Sequence, residues 1–261
     1  YDAFDEARSE QYLMSRRTTT VAGQTGTRLY LHPADDDRAI TGLPGDLGTD
    51  TLETMNLTIG ASQTSKSEVN VNTTRRQLSR WASPALGSQT IAAQNWTVNI
   101  ARRQNTAIAG SNTVYSVRLF AFRPAAQTAV GYIIGTSSAD TDYGTASKNA
   151  TVNTIQSFQD NAFSGSQVIV QNGDVLVLEI QVRDTTGLDD PTIDLYYDGT
   201  TVTATDNTTV SNHASFLEST NNLTLSGAIP AKVAGRMTYL TTSSAFTDTT
   251  IDTDLGVNYV Q

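Results

Sequence analysis

Asp184, Asp189, Asp190 and Asp198 are the carboxylates best placed to do chemistry, all within the run Arg183-Asp-Thr-Thr-Gly-Leu-Asp-Asp-Pro-Thr-Ile-Asp-Leu-Tyr-Tyr-Asp-Gly-Thr200. Two carboxylates facing one bond can act as general acid and base, and several oxygens at once can hold a calcium ion. Acids gathered in a loop between strands are first of all a solvated turn, because Asp and Asn hydrogen-bond their own backbone there. The closing Glu of an EF-hand is missing. An ion bound by Asp184, Asp189, Asp190 and Asp198 is therefore expected to be structural calcium tying β loops together. The plain alternative is a set of Asx-turns carrying solubilising charge. Asp35-Asp36-Asp37 with Asp46 and Asp50, and Asp140 with Asp142, offer similar donors.

Other chemistry finds little support. His32 and His213 are the only imidazoles, far apart in sequence, and there is no cysteine for a thiolate nucleophile, a thiolate metal site or a disulfide. No Gly-x-Ser-x-Gly elbow, Walker motif, dinucleotide fingerprint or His-Glu-x-x-His occurs. The expectation is a protein with no catalytic residues and no cofactor. A net charge of −9 argues against a phosphate-binding, nucleic-acid surface. The pairs Arg16-Arg17, Arg75-Arg76 and Arg102-Arg103 read as solvated positions or subunit salt bridges, since neighbours on a strand point to opposite faces. No apolar run approaches the roughly 18 residues of a membrane helix, so no membrane partner is expected. The opening Tyr1-Asp-Ala-Phe-Asp-Glu has neither the basic nor the apolar region of a signal peptide.

A glycan site needs exposed aromatic platforms, and Trp81, Trp96, Tyr132, Tyr143, Tyr196 and Tyr197 are the candidates. Trp96 is in phase with Val98 and Ile100 and belongs to a core. Tyr196 and Tyr197 point to opposite faces, and Tyr143 in the Asp140–Gly144 turn is the best exposed candidate. Asn-x-Ser/Thr sequons at Asn56, Asn72, Asn95, Asn149, Asn207 and Asn222 arise easily in a chain this rich in Asn and Thr.

The elements that must position these residues are strands. Asp174–Val182 is the clearest, filled by β-branched and aliphatic residues around Glu179 and Gln181, with Gly173 as the turn before it and Ile193–Tyr197 as the strand after the acidic loop. Met55, Leu57 and Ile59 alternate as in a half-buried strand. Trp81–Leu86 is interrupted by Pro84, the mark of an edge or a strand start. Leu29–Leu31, Trp96–Ile100, Val114–Phe122, Val130–Ile134, Val152–Phe158, Gln167–Val170, Ala214–Leu217 and Leu223–Leu225 complete roughly ten strands, by the turn signals between them. Residues 2–17 read as the one helix, with Phe4, Ala7, Gln11 and Met14 at helical spacing. The expected fold is all-β: an antiparallel, jelly-roll-like β-sandwich over 28–226, a short N-terminal helix or arm over 1–27, and a C-terminal extension or arm over 227–261.

Laid out this way, the chain resembles a β-sandwich domain of tailed-bacteriophage virion structural proteins, of the capsid-decoration and minor tail kind. The resemblance rests on Leu29-Tyr-Leu31, Trp81-Ala-Ser-Pro-Ala-Leu86, Ile91–Ala101 with Trp96, Gly173-Asp-Val-Leu-Val-Leu-Glu-Ile180, Leu195-Tyr-Tyr-Asp-Gly-Thr200 and Ala214-Ser-Phe-Leu217, in that order. It implies a non-enzymatic, generally oligomeric component on the exterior of a head or tail. Its partners would be copies of itself and other virion proteins. The alternative is a receptor- or carbohydrate-binding β-sandwich module that meets a host-surface glycan through a loop face.

Overall fold

β-Branched, aliphatic and aromatic side chains pack well on a pleated surface, and here they fill strands nearly everywhere. The computed structural model describes residues 26–36, 38, 40, 43, 52–71, 73, 76–105, 113–136, 151–184, 191–203 and 205–226. Its strands are β1 (Arg28–Asp35), β2 (Leu52–Asn56), β3 (Thr64–Glu68), β4 (Arg76–Ala82), β5 (Gln89–Ile91), β6 (Gln94–Gln104), β7 (Thr113–Arg123), β8 (Thr128–Ile134), β9 (Gln156–Gly165), β10 (Val168–Val170), β11 (Val175–Asp184), β12 (Ile193–Tyr197), β13 (Thr208–Thr209) and β14 (Phe216–Ser219). The expected helix over 2–17 and the extension over 227–261 lie outside the described residues.

The fold is all-β, a sandwich made by one hydrogen-bonded set of twelve strands that forks at β6. One edge of β6 pairs with β9. Its other edge pairs with β14 along Trp96–Asn99 and with β12 along Ala101–Gln104. The first layer therefore runs β13-β9-β6-β12-β3, and the second runs β14-β1-β2-β4-β11-β7-β8. β5 and β10 form a separate two-stranded ribbon. Among the described strands the pairings are antiparallel except β2 with β4, which run parallel; an isolated bridge between Thr201 and His213 is also parallel.

Four strand expectations need correction. β2 stops at Asn56, whose Oδ1 accepts the Thr58 N–H at 2.7 Å and turns the chain. Leu57 and Ile59 then project outward, 49% and 39% exposed, instead of lining a core face. β4 is no edge: it ends at Ala82, before Pro84, and sits between β2 and β11, so the proline breaks no ladder. Leu223–Leu225 makes no strand, and the stretch from Val152 to Ile155 is a turn that precedes β9. Pro33 does lie within a strand, at the register shift between Leu31 and Asp35 of β1, where a missing N–H costs least.

β11 is buried on both faces from Val175 to Val182, so its two sides have different neighbours. Leu178 pairs with Leu119 and Trp81, and Ile180 with Val117 and Ser79. This is the inner side, where Trp81 meets Tyr197 of the first layer edge-on, ring centroids 5.4 Å apart. On the outer side Val175, Val177, Phe120 and Phe122 form a second apolar cluster, packed by Ile40, Leu43, Leu52, Ala129 and Tyr132. Trp96 is in the core, as its spacing predicts.

Candidate functional site

The four aspartates do not make one described group. Asp184 ends β11 in the second layer, buried, with its backbone opposite Thr113 of β7. Asp198 follows β12 in the first layer, and Asp189 and Asp190 lie outside the described residues. Among the described residues no three His, Asp or Glu side chains are gathered as a metal ion would require. Of the other acidic loops, Asp36 is held by Arg38, while Asp37, Asp46, Asp50, Asp140 and Asp142 are outside the described residues. Tyr143 also falls outside them.

Asp198 instead meets His32. Its Oδ1 lies 2.5 Å from His32 Nδ1, and His32 Nε2 lies 2.9 Å from the Thr58 carbonyl and 3.1 Å from Asn56 Oδ1. A His–Asp pair can be half of a nucleophile-activating relay, but only if the far nitrogen faces a nucleophile. Here that nitrogen faces the Asn56 and Thr58 oxygens. Asp198 adopts φ of +63°, a left-handed conformation that aspartate tolerates better than most residues. Gly60 permits its approach: a Cβ there would lie 2.1 Å from the Asp198 carbonyl oxygen.

Between the layers sits Glu53 of β2, on the Trp81 side of the second layer. It accepts hydrogen bonds from Tyr197 Oη at 3.1 Å and Ser79 Oγ at 3.2 Å, and Lys66 Nζ of β3 stands 3.0 Å away. Burial pushes the Glu53 carboxyl above its ordinary range, against the opposing pull of Lys66, Tyr197 and Ser79. On the outer side of the second layer, Glu179 of β11 is flanked in register by Arg80 and Arg118. It accepts from Arg80 Nε at 3.0 Å, from Arg118 Nη2 at 2.6 Å and from Gln181. A carboxylate this deeply enclosed stays compatible with folding because two guanidinium groups and an amide replace its water.

The arginine pair of β6 splits, as neighbours on a strand must. Arg103 forks onto Asp194 at 2.8 and 2.6 Å. Arg102 turns inward and is 1% exposed, so the solvated reading is wrong for it. Its guanidinium stacks on Phe158 at 4.6 Å, and desolvation lowers its pKa to about 10. His213 is equally enclosed. Its Nε2 lies 2.8 Å from Asn99 Oδ1, and burial drives its pKa down to about 4, so the ring is neutral at pH 7.

The ionisable residues that the structure places at centre stage, Glu53, Glu179, Arg80, Arg118 and Arg102, were not singled out as a site by motif. One signal was present: each arginine or glutamate of the Glu179 group stands inside an otherwise strand-like apolar run (Val-Leu-Val-Leu-Glu-Ile, Val-Arg-Leu-Phe, Leu-Ser-Arg-Trp). A charge in such a run must find a partner on a neighbouring strand. The arrangement ties strands and layers together.

No family model matches this chain, and no curated protein matches it. Among solved structures it is similar to a CocE/NonD family hydrolase from Staphylococcus aureus, at 8% identity over 79% of this chain and 35% of that one, with a TM-score of 0.27. It is also similar to a structure of infectious bursal disease virus, Gx strain, at 10% identity over 72% and 41% of the two chains, with a TM-score of 0.22. The VP2 subviral particle of the same virus gives 8% identity, 69% and 43% coverage and a TM-score of 0.19. The chain spans well under half the length of each of these. At such scores the likenesses carry no functional argument.

Proposed function

We propose that this chain is a non-enzymatic structural component of a tailed-phage virion, on the exterior of the capsid or tail, as a decoration, minor capsid or minor tail protein. It would assemble with copies of itself and with other virion proteins through its sandwich edges and its terminal arms. The observation that carries this reading is how the described sandwich uses its charge. Glu179, Asp194 and Asp174 each pair with an arginine of a different strand, and Glu53 and Asp198 join one layer to the other. These are architectural roles. The sequence adds a polar, Thr-rich and acidic surface, suited to the outside of a particle and poorly suited to packaged DNA.

β3 is the strand best placed to meet a neighbour along a sheet edge. Among the described strands it pairs with β12 alone, and it reads Thr-Ser-Lys-Ser-Glu, a short polar edge of the kind that resists indiscriminate strand addition. Truncations test the proposal. Deleting residues 1–20 or 230–261 is expected to abolish incorporation into particles while the sandwich still folds, read by co-sedimentation with purified virions and by far-UV circular dichroism. Normal incorporation of both truncations would sink it.

A further inference from the structure

Arg102 sits between Leu195 of β12 and Gln156 of β9, its register partners, and shares their side of the first layer. Its Nε, Nη1 and Nη2 are all buried, and none meets an acceptor among the described residues. The groups that act on it through space are the Tyr115 phenol and Asp206, an exposed carboxylate whose Oδ1 accepts the Gln159 N–H at 3.1 Å. Arg103, one residue on, shows the usual arrangement: a carboxylate receives both arms of its fork. Burial strips water from a guanidinium, and folding tolerates this only where other oxygens take the water's place. Two residues along the same side of β6, Gln104 is 2% exposed and its Oε1 has no donor among the described residues. Arg102 thus offers donors and a positive charge, and Gln104 offers an acceptor.

We propose that Arg102 and Gln104 form an oxyanion site on the inner side of the first layer, for an anion that also carries a hydroxyl hydrogen. Hydrogen phosphate has that chemistry: its charged oxygens accept from the planar guanidinium fork, and its P–OH donates to Gln104 Oε1. Sulfate supplies the oxygens without the hydrogen. Phe158 lies against the guanidinium, with Arg102 Cζ 4.6 Å from its ring centroid, and supports it from one side.

The test is calorimetric titration of the full chain with inorganic phosphate and with sulfate at constant ionic strength, joined to thermal melts. Saturable phosphate binding is expected, with a Tm rise on the order of 5 °C at a hundredfold excess over Kd, and weaker binding of sulfate. Arg102→Met should lose the phosphate-specific rise, and Gln104→Met should bring phosphate and sulfate to equal affinity. Absence of saturable phosphate binding to the wild type would overturn the proposal. So would equal Tm shifts in the wild type and Arg102→Met. Should Arg102→Met not fold, Arg102→Lys retains the charge without the fork. At least a tenfold loss of phosphate affinity is then expected, and unchanged affinity overturns the site.

Discussion

Tyr197 Oη donates to Glu53 Oε1 at 3.1 Å, a hydrogen bond from β12 of one layer to β2 of the other. The same tyrosine ring lies edge-on to Trp81, so one side chain joins the apolar packing and the polar tie between layers. Apolar contact alone is non-directional and fixes the relative slide of two sheets poorly. A buried carboxylate with a phenol, a hydroxyl and an ammonium around it accepts only one arrangement.

Tyr197→Phe keeps the ring contact and removes the donor. Glu53 then keeps Lys66 and Ser79 but loses one buried partner, at an expected cost of about 1–2 kcal/mol. Urea unfolding at pH 7 should show a lower midpoint with an unchanged slope. A midpoint equal to wild type would show that the hydrogen bond contributes nothing.

Glu179 predicts a larger effect. Glu179→Leu leaves Arg80 and Arg118, respectively 3% and 5% exposed, without the shared carboxylate that both address. Breaking a buried ion group on one side costs about 3–5 kcal/mol. The triple change Arg80→Met, Glu179→Leu and Arg118→Met removes all three charges and should recover most of that loss. Equal instability of the single and triple variants, measured by urea unfolding, would mean that shape and not charge sets the cost.

The strands were legible where apolar residues recur, and illegible where they do not. Ile193–Tyr197 has the bounds expected for it, and the opposed faces of Tyr196 and Tyr197 followed from the period of two. β3, with no apolar side chain to mark it, could not be read, because its place depends on pairing with β12 and not on its own burial. β5 and β13, of three and two residues, are too short to show a period. Leu57 and Ile59 misled for the opposite reason: their spacing matched a strand, but the Asn56 side chain turned the backbone first. The aspartate run was visible as composition, whereas the pairing of Asp198 with His32 joins positions far apart in sequence that only the topology brings together.

His213 makes stability depend on mild acid. Its native pKa of about 4 lies below the ordinary 6.5, so between those values the unfolded chain binds a proton that the native state does not. Stability therefore rises with pH across that window and is lost as pH falls through it, by about 3 kcal/mol in all. Glu53, with its pKa raised, acts in the opposite sense above 4.5, where the unfolded state releases its proton first. Urea midpoints measured from pH 4.5 to 7 should climb in the wild type and climb less in His213→Gln. Parallel profiles for the two proteins would remove His213 as the cause.

Gly60 and Gly173 separate two reasons for a glycine. Gly173 has φ of +93° with open space around its missing Cβ, so Gly173→Ala meets backbone strain alone, about 1–2 kcal/mol. At Gly60 a methyl group would lie 2.1 Å from the Asp198 carbonyl oxygen and 2.5 Å from Asp198 Oδ1, the atom that His32 holds. Gly60→Ala must therefore push the Asp198 turn away, with an expected loss of roughly 3 kcal/mol or more and a broken contact to His32. The His32 ring resonances should shift in Gly60→Ala and stay in place in Gly173→Ala. A Gly60→Ala protein with wild-type stability and unshifted His32 signals would mean that Asp198 does not pack against residue 60.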